Sequence, residues 1–444
     1  MNSVSARLDR LPITSIHRKA IIALAFAYFF ELGDVSTFAF AAPSLMQQWH
    51  ISVHIVAIIT SAGFGGMFLG GILGGRIADL VGRKRGLAIF ILIYTTASLL
   101  NAFAWDTASL IVLRVMTGIG IGAMTVIANT YISEMFPARV RGKYLASILT
   151  IGLIGIPATA LVARIVIPLA PWGWRCVFVW GSLGAVSLCY LIKLPESPRW
   201  YQMLARHAEA QSAVDVMEQI ALRETGTLEA PTFSATLENE QASTRYVDLF
   251  SKGQRGKTAL LIVVWIFQTI GAYGFLAWVP TLLVNQGVEI TKSLGYTSVI
   301  ALAAPVGPLL GLFLGDRIER KTVIIGAAAA ILAFGLIFGA TREASVIIAM
   351  GIGLQLANNI MSYSYHAYQQ ELFPTGIRAR AAGFVYSWSR LSVIFSSFVI
   401  AALLQHFGTS GVFAFIAAAM VVVIAVIGLF GPRTSNVALE RISR

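Results

Sequence analysis

Long apolar runs separated by short polar breaks dominate the chain. Twelve of them reach the roughly 20 residues that a helix needs to cross a hydrocarbon core. They cover residues 20–45, 55–79, 86–105, 108–135, 143–168, 174–194, 258–285, 294–316, 322–341, 344–371, 379–405 and 411–431. The one long polar stretch, residues 195–257, falls between the sixth and seventh runs. The pattern predicts an all-α membrane protein with twelve transmembrane helices, six on each side of a linker. The expected divisions are an N-terminal segment 1–19, a first six-helix bundle 20–194, the linker 195–257, a second bundle 258–431 and a tail 432–444. Within the linker, 199–223 is expected to form a helix with Trp200, Leu204, Met217 and Ile220 on one apolar stripe, and 225–244 to be mobile. Arg7–Leu11 is expected to be a short interfacial helix.

The two six-run blocks are copies in one register. Asp79, Arg83 and Lys84 recur 237 positions later as Asp316, Arg320 and Lys321. Tyr131, Glu134, Phe136, Pro137 and Arg141 recur as Tyr368, Glu371, Phe373, Pro374 and Arg378, and Pro43, Gly70 and Gly74 as Pro280, Gly307 and Gly311. A fixed register over a hundred residues, loops included, identifies two pseudo-symmetric halves. Two-half membrane proteins of this kind work by rocking one half against the other around a central site.

Charge then orients the helices. Only 12% of residues are charged, against about 25% in soluble domains, while 57% are hydrophobic and the net charge is +12. The basic residues gather in alternate loops: Arg7, Arg10, Arg18 and Lys19 before the first run, Arg83–Arg85 after the second, Arg139, Arg141 and Lys143 after the fourth, and Arg317, Arg320 and Lys321 after the eighth. Positive charge stays cytoplasmic, so both termini are expected inside, and the basic balance records topology rather than a nucleic-acid partner. The first run is too long for a signal-peptide core and reads as a retained span. Cys176 and Cys189 have no metal-ligand spacing and read as packing thiols. No nucleotide loop, metal cluster or triad pattern supports an enzyme, and no cofactor or metal is expected beyond a proton gradient as driving force. A sensor on a transporter scaffold is the reading from another class.

Several motifs resemble the major facilitator superfamily. Gly75-Arg-Ile-Ala-Asp79-Leu-Val-Gly82-Arg83-Lys84 is similar to its signature loop between spans two and three, with a weaker copy, Gly315-Asp316-Arg-Ile-Glu319-Arg320-Lys321, between spans eight and nine. Tyr131-x-x-Glu134-x-x-Pro137-x-x-x-Arg141-Gly142 and Pro195-Glu-Ser-Pro-Arg199 resemble the sugar-porter branch. Span seven carries Gln268 where sugar porters have a glutamine pair. Arg7-Leu-Asp9-Arg10-Leu-Pro12, the span-one acids and Ser389-Arg390-Leu391 look more like a bacterial metabolite:proton symporter group. That group includes nicotinate and aromatic-acid carriers and is similar to synaptic vesicle protein 2 and organic-ion transporters. The resemblance implies a monomer in the bacterial inner membrane that moves a small organic anion with protons.

Ionisable residues deep in a span are expensive and mark function. Glu31 and Asp34 share a helical face of span one. Counting at 1.5 Å per residue puts Asp34 about 14 Å and Arg114 about 9 Å below the outer ends of their spans, depths that allow a pair. The resemblance implies the same pairing in proton-coupled members. A carboxylate beside arginine stays ionised, and in apolar surroundings it takes a proton more readily. Asp34, Glu31 and Arg114 are therefore the proton-coupling candidates, with the alternative of a static ion pair. Arg390 lies about 15 Å into span eleven, near the midplane. It has no evident acid partner in the second half, so its planar fork suits a substrate carboxylate; neutralisation by Glu31 or by carbonyls is the alternative. Around it, Gln268, Tyr273, Gln355, Asn358, Asn359, Ser362, Tyr363, Tyr386 and Trp388 are the expected substrate-binding residues. The aromatics favour an aromatic or heteroaromatic carboxylate.

At the basic ends, Asp79, Arg83, Glu134 and Arg141, with Asp316, Arg320, Glu371 and Arg378, are expected to join Glu196 and Arg199 in an inner gate. The glycines of span two read either as tight packing or as a seam between the moving halves. The functional expectation is proton-coupled uptake of a small organic anion such as nicotinate. The alternatives are export by proton antiport, which Gly152–Pro157 faintly suggests, and sugar or metabolite symport.

Overall fold

The structure is a computed structural model, and it describes residues 4–230, 249–251, 253–315, 317–373 and 375–434. Asp316, most of the stretch expected to be mobile and the end of the tail lie outside the described residues, as does the side chain of Arg378. Every long element is a helix. Among the described residues, ten helical segments are long and apolar enough to cross a membrane. Two further observations bring the bundle to twelve spans. Arg83–Asn101 is a 19-residue helix whose basic first turn lowers its hydropathy. Thr375–Phe430 is two helices that turn back at Gly408, where φ is 65°.

In order, spans one to six are Ser15–Trp49, Val53–Val81, Arg83–Asn101, Thr107–Met135, Ala138–Leu169 and Gly173–Leu191. Span seven is Arg255–Leu276, extended by the short helix Val279–Asn285. Span eight is formed by Ile290–Ala301 and Val306–Gly315, span nine is Arg320–Ala340 and span ten Ala344–Leu372. Spans eleven and twelve are the two arms of Thr375–Phe430. Local chemistry sets several ends. Ser52 accepts the Ile55 amide to start span two, and Asp106 accepts that of Ser109 at 2.8 Å to start span four. Gly82 joins spans two and three at a φ of 104°, a left-handed turn that glycine supplies without strain.

Within the first half, span two packs on span four, and span one on spans five and six; in the second, span seven packs on eleven and span nine on ten and twelve. The span-two glycines serve the first of these contacts. A Cβ at Gly66 would lie 2.2 Å from the Val115 carbonyl oxygen, and one at Gly70 2.1 Å from that of Ile119. Of the two readings of these glycines, tight packing inside one half accounts for Gly66, Gly70 and Gly74, while Gly65, beside Ile394, faces the other half.

An even number of crossings puts both chain ends on one face, which also carries most of the basic loops. The halves join toward the opposite face. Ser61 donates to the Ile394 carbonyl at 3.0 Å, Ser298 to that of Ala160 at 3.0 Å, and His54 meets Phe398 at 5.9 Å between rings. A vestibule of about 1080 Å³ opens on that opposite face, bordered by Pro43, Gln48, Pro171, Thr281 and Glu289. Large apolar side chains such as Leu92, Val112 and Phe395 are exposed around the bundle, as a lipid-facing surface requires.

On the basic face the expected linker helix is two helices, Pro198–Met203 and His207–Thr225. Ala205 takes a left-handed φ of 56° between them, which rotates the buried stripe to Ala210, Val214, Met217 and Ala221 and leaves Leu204 exposed. The N-terminal helix, expected over Arg7–Leu11, runs Val4–Asp9 and leaves Arg10 and Leu11 outside it. Val4 and Leu8 are buried, and Arg7 bridges to Asp215 and Glu218 on the linker helix.

Candidate functional site

Two polar clusters lie within the spans. The first is closed inside the first half. Asp34 is 0% exposed. One of its carboxylate oxygens accepts the Ser98 hydroxyl of span three at 2.5 Å, and the other faces Arg114 of span four at 3.4 Å. Arg114 also reaches the Thr37 hydroxyl at 3.5 Å and lies 6.0 Å from the Phe38 ring. Glycine makes this room: a Cβ at Gly181 would be 2.2 Å from the Asp34 oxygen, and one at Gly63 3.3 Å from the Arg114 guanidinium. Two opposite charges in a dry, glycine-walled slot are each other's main solvation, so breaking the pair while both stay charged is costly.

The two span-one acids part company. Glu31, 2% exposed, is bonded to the Thr125 hydroxyl at 2.9 Å and makes no ion pair with Arg114. Its second oxygen has no partner. The two acids thus take different partners within the first half, Asp34 with Ser98 and Arg114, and Glu31 with Thr125.

The second cluster surrounds Arg390, near the centre of the bundle. Its guanidinium donates to the phenol oxygens of Tyr273 at 3.0 Å and Tyr386 at 2.6 Å. It lies 5.2 Å, 5.6 Å and 5.9 Å from the ring centroids of Tyr386, Tyr273 and Phe64. Among the described residues no carboxylate comes within ion-pair distance of it. Arg390 borders a cavity of about 170 Å³. A cavity of about 150 Å³ accepts one benzene ring, so the space suits a single small ring. Gln268, Tyr273, Gln355, Asn358, Asn359, Ser362 and Tyr386 line it. His366, one turn closer to the basic face than Ser362, also lines the cavity, and its side chain is exposed.

Two expected residues fall outside. Tyr363 packs over Gly311 of span eight, where a Cβ would lie 2.9 Å from its ring, and does not line the cavity. Trp388, half-buried, is also absent from the lining. Both sit on faces of their helices turned from the site, which a choice by depth alone cannot register. Sequence reading missed Trp265, whose ring meets Tyr365, His366 and Tyr386, each at 5.0 Å, while its indole N–H donates to Gln369 at 2.9 Å. Its position three residues before Gln268, on the same helical face, was the available signal.

The charges of the basic face pair within each half, in matching geometry. Arg83 donates to Glu134 at 3.0 Å and to Asp79 at 2.7 Å, and Arg320 donates to Glu371 at 2.5 Å. Tyr131 donates to the Pro195 carbonyl at 2.9 Å, and Tyr368 to that of Pro432 at 2.8 Å. Glu196 accepts the Lys84 amide at 2.9 Å at the start of span three. Arg199 faces Asp9 at 3.5 Å, and Arg141 is exposed. Among the described residues, no ion pair joins the two halves on this face.

Residues 21–444 match the model of the family described as sugar (and other) transporter. The chain is 38% identical over 435 residues to the putative metabolite transport protein YyaJ of Bacillus subtilis (strain 168), covering 98% of this chain and 96% of that one. It is 29% identical over 439 residues to the niacin transporter NiaP of Acinetobacter baylyi, covering 98% and 99%. A crystal structure of a D-xylose–proton symporter superposes with a TM-score of 0.76 at 19% identity, covering 95% of this chain and 99% of that one. With twelve spans, the signature loop between spans two and three in place and a family match over nearly its whole length, the chain belongs to the sugar (and other) transporter family of the major facilitator superfamily.

Proposed function

We propose that the protein takes up a small organic anion together with protons by alternating access, and that the anion is an aromatic or heteroaromatic carboxylate such as nicotinate. The observation that carries this reading is Arg390. It is a cation held at a ring-sized cavity by neutral phenols, with no carboxylate partner among the described residues. A substrate carboxylate can take both of its forks, and Tyr386 and Trp265 offer faces and edges to the attached ring. The whole-length similarity to a niacin transporter supports the same substrate class.

The Asp34–Arg114 pair is the proton-coupling element in this reading. Protonation of Asp34 releases Arg114, and the change in span-one and span-four packing is passed to the rocking motion. The basic face is cytoplasmic, by the asymmetry of Lys and Arg in the loops, and the protein works as a monomer in a bacterial inner membrane. The cavity then faces the cytoplasm, in the state that releases substrate. Asp79, Arg83, Glu134, Arg320 and Glu371 close that side in the opposite state, when the two halves approach.

Uptake into proteoliposomes with an imposed pH gradient tests the reading against nicotinate, benzoates, short dicarboxylates and hexoses. Acidification of the substrate side should drive accumulation of an aromatic acid. Accumulation of hexoses alone would overturn the substrate class, and accumulation on the acidic side would replace symport by antiport.

A further inference from the structure

The cavity carries a second polar demand besides Arg390. Asn358 of span ten is 5% exposed, and neither its amide oxygen nor its amide nitrogen has a hydrogen-bond partner. Gln268 of span seven is 3% exposed, and its side-chain oxygen is likewise unpartnered. Both residues line the same cavity as Arg390. Two polar neighbours bond within the protein instead. The side-chain amide of Asn359 donates to the Gln355 carbonyl at 3.0 Å, and the indole of Trp265 to Gln369. Buried amides that lack partners are uncommon, because each leaves a desolvated dipole uncompensated. Here they sit on two facing helices of one half, at the wall of the space that the ligand takes.

We propose that Asn358 and Gln268 read a hydroxyl group on the substrate, so that this transporter selects a hydroxylated aromatic acid over an unsubstituted one. The inference rests on the organic-anion reading of Arg390 and adds a second recognition point to it. Asn358 offers one donor and one acceptor whichever way its amide is turned, and Gln268 adds a further acceptor. A phenolic hydroxyl both donates and accepts, so it can meet two of the three atoms, accepting from the Asn358 amide nitrogen and donating to one of the two amide oxygens. A ring nitrogen only accepts, and it leaves the amide oxygens unmet. A bare ring satisfies none of the three atoms. A site built around such unpaired groups rejects the analogue that lacks the hydroxyl, because binding the analogue seals the amides away from water.

The test measures binding of benzoate, nicotinate, 3-hydroxybenzoate and 4-hydroxybenzoate to the full-length protein in nanodiscs, by calorimetry. One hydroxybenzoate should bind at least about tenfold tighter than benzoate and tighter than nicotinate, which is the discrimination expected from leaving one buried polar group unpaired. Asn358→Leu should remove that preference, bringing hydroxybenzoate affinity down to that of benzoate, with helical circular dichroism and thermal unfolding matching the unmodified protein to show that the variant is folded. Gln268→Leu should reduce the preference by a smaller factor. Equal affinity for benzoate and both hydroxybenzoates in the unmodified protein would overturn the inference while leaving the organic-anion reading standing, as would an unchanged preference in Asn358→Leu. Failure of every acid to bind, with hexose binding instead, would overturn the reading beneath it.

Discussion

The two intramembrane clusters hold their arginines in opposite ways. Arg114 has a carboxylate for a partner, lies inside one half and borders no cavity among those described. Arg390 is held by two phenols, belongs to the other half and borders the central space. A guanidinium that already has its anion is an element whose pairing can be switched, whereas one bonded only to neutral phenols can still take a carboxylate. The repeat sharpens the contrast. Arg114 corresponds to Gly351, and Arg390 to Leu153, so neither half carries both groups. The symmetry supplies the scaffold and its breaks supply the chemistry.

The sharpest way to break this contrast is to remove the charge of the closed pair. Asp34→Asn should reduce pH-driven accumulation to the level of equilibrium exchange, while counterflow and substrate affinity persist, because no atom of that cluster lines the cavity. Normal concentrative uptake by the variant would merge the roles of the two clusters. The complementary change, Arg390→Lys, keeps the charge and loses the planar fork and one of its two phenol bonds. It should weaken binding of the transported anion by about tenfold to a hundredfold, the worth of a charge-assisted bond, in a titration at fixed pH. A near-normal affinity would show that Arg390 is structural.

A smaller effect separates the helix packing beneath the clusters. Gly118 and Gly122 of span four correspond to Gln355 and Asn359 of span ten. In the first half, a Cβ at Gly122 would lie 2.1 Å from the Met67 carbonyl oxygen, so the backbones touch. In the second, Gly307 of span eight receives the Asn359 side chain, with a Cβ there only 2.3 Å from that of Asn359. One half uses this register for close packing, and the other to set amides along a cavity. Gly122→Ala should lower stability by about 1–3 kcal/mol through overpacking. Asn359→Ala should lower it by about 1 kcal/mol or less. Thermal unfolding in detergent compares the two, and equal losses would remove the distinction.

Much of this was legible in the chain because the bilayer restricts the choices. Runs of twenty apolar residues can only be spans, and duplicated charges in register can only be a repeat, so the twelve helices and the matching charges at the basic ends follow from composition and spacing, whereas the pairing of those charges within each half, Arg83 with Glu134 and Arg320 with Glu371, does not. Asp34 and Arg114 were legible by depth. Side-chain direction was not. Tyr363 and Trp388 have the right depth and turn away, whereas Trp265 was passed over although it shares a face with Gln268. Depth fixes a residue along the membrane normal, but rotation about the helix axis depends on neighbours that one sequence does not display. The glycines of span two illustrate the same limit: a small-residue face announces close approach, but not to which helix.

The weakest expected effect concerns charges outside the membrane, and it extends the comparison to a third kind of arginine. Arg7 meets Glu218 at 2.6 Å and Asp215 at 2.5 Å, and Arg10 meets Glu218 at 2.7 Å, which ties Val4–Asp9 to the linker helix His207–Thr225. Burial pushes the Glu218 carboxyl up, but the bonds from Arg7 and Arg10 outweigh it and hold the group below its ordinary value of 4.5. Bonds from Ser15 hold Glu224 low as well. A carboxyl held low stabilises the contact above its ordinary value, and that contribution is lost as pH falls through the lower, bound value. Hydrogen-exchange protection of both helices should therefore be level from about pH 7 to 5 and decline below about pH 4. Salt should weaken it, because these pairs lie near the surface. Arg7→Gln should lower protection at pH 7 and leave substrate affinity within about twofold, since surface pairs contribute little individually. A large loss of affinity in Arg7→Gln would mean that the basic-face clamp is coupled to the Arg390 site, and the three arginines would then belong to one network rather than to separate tasks.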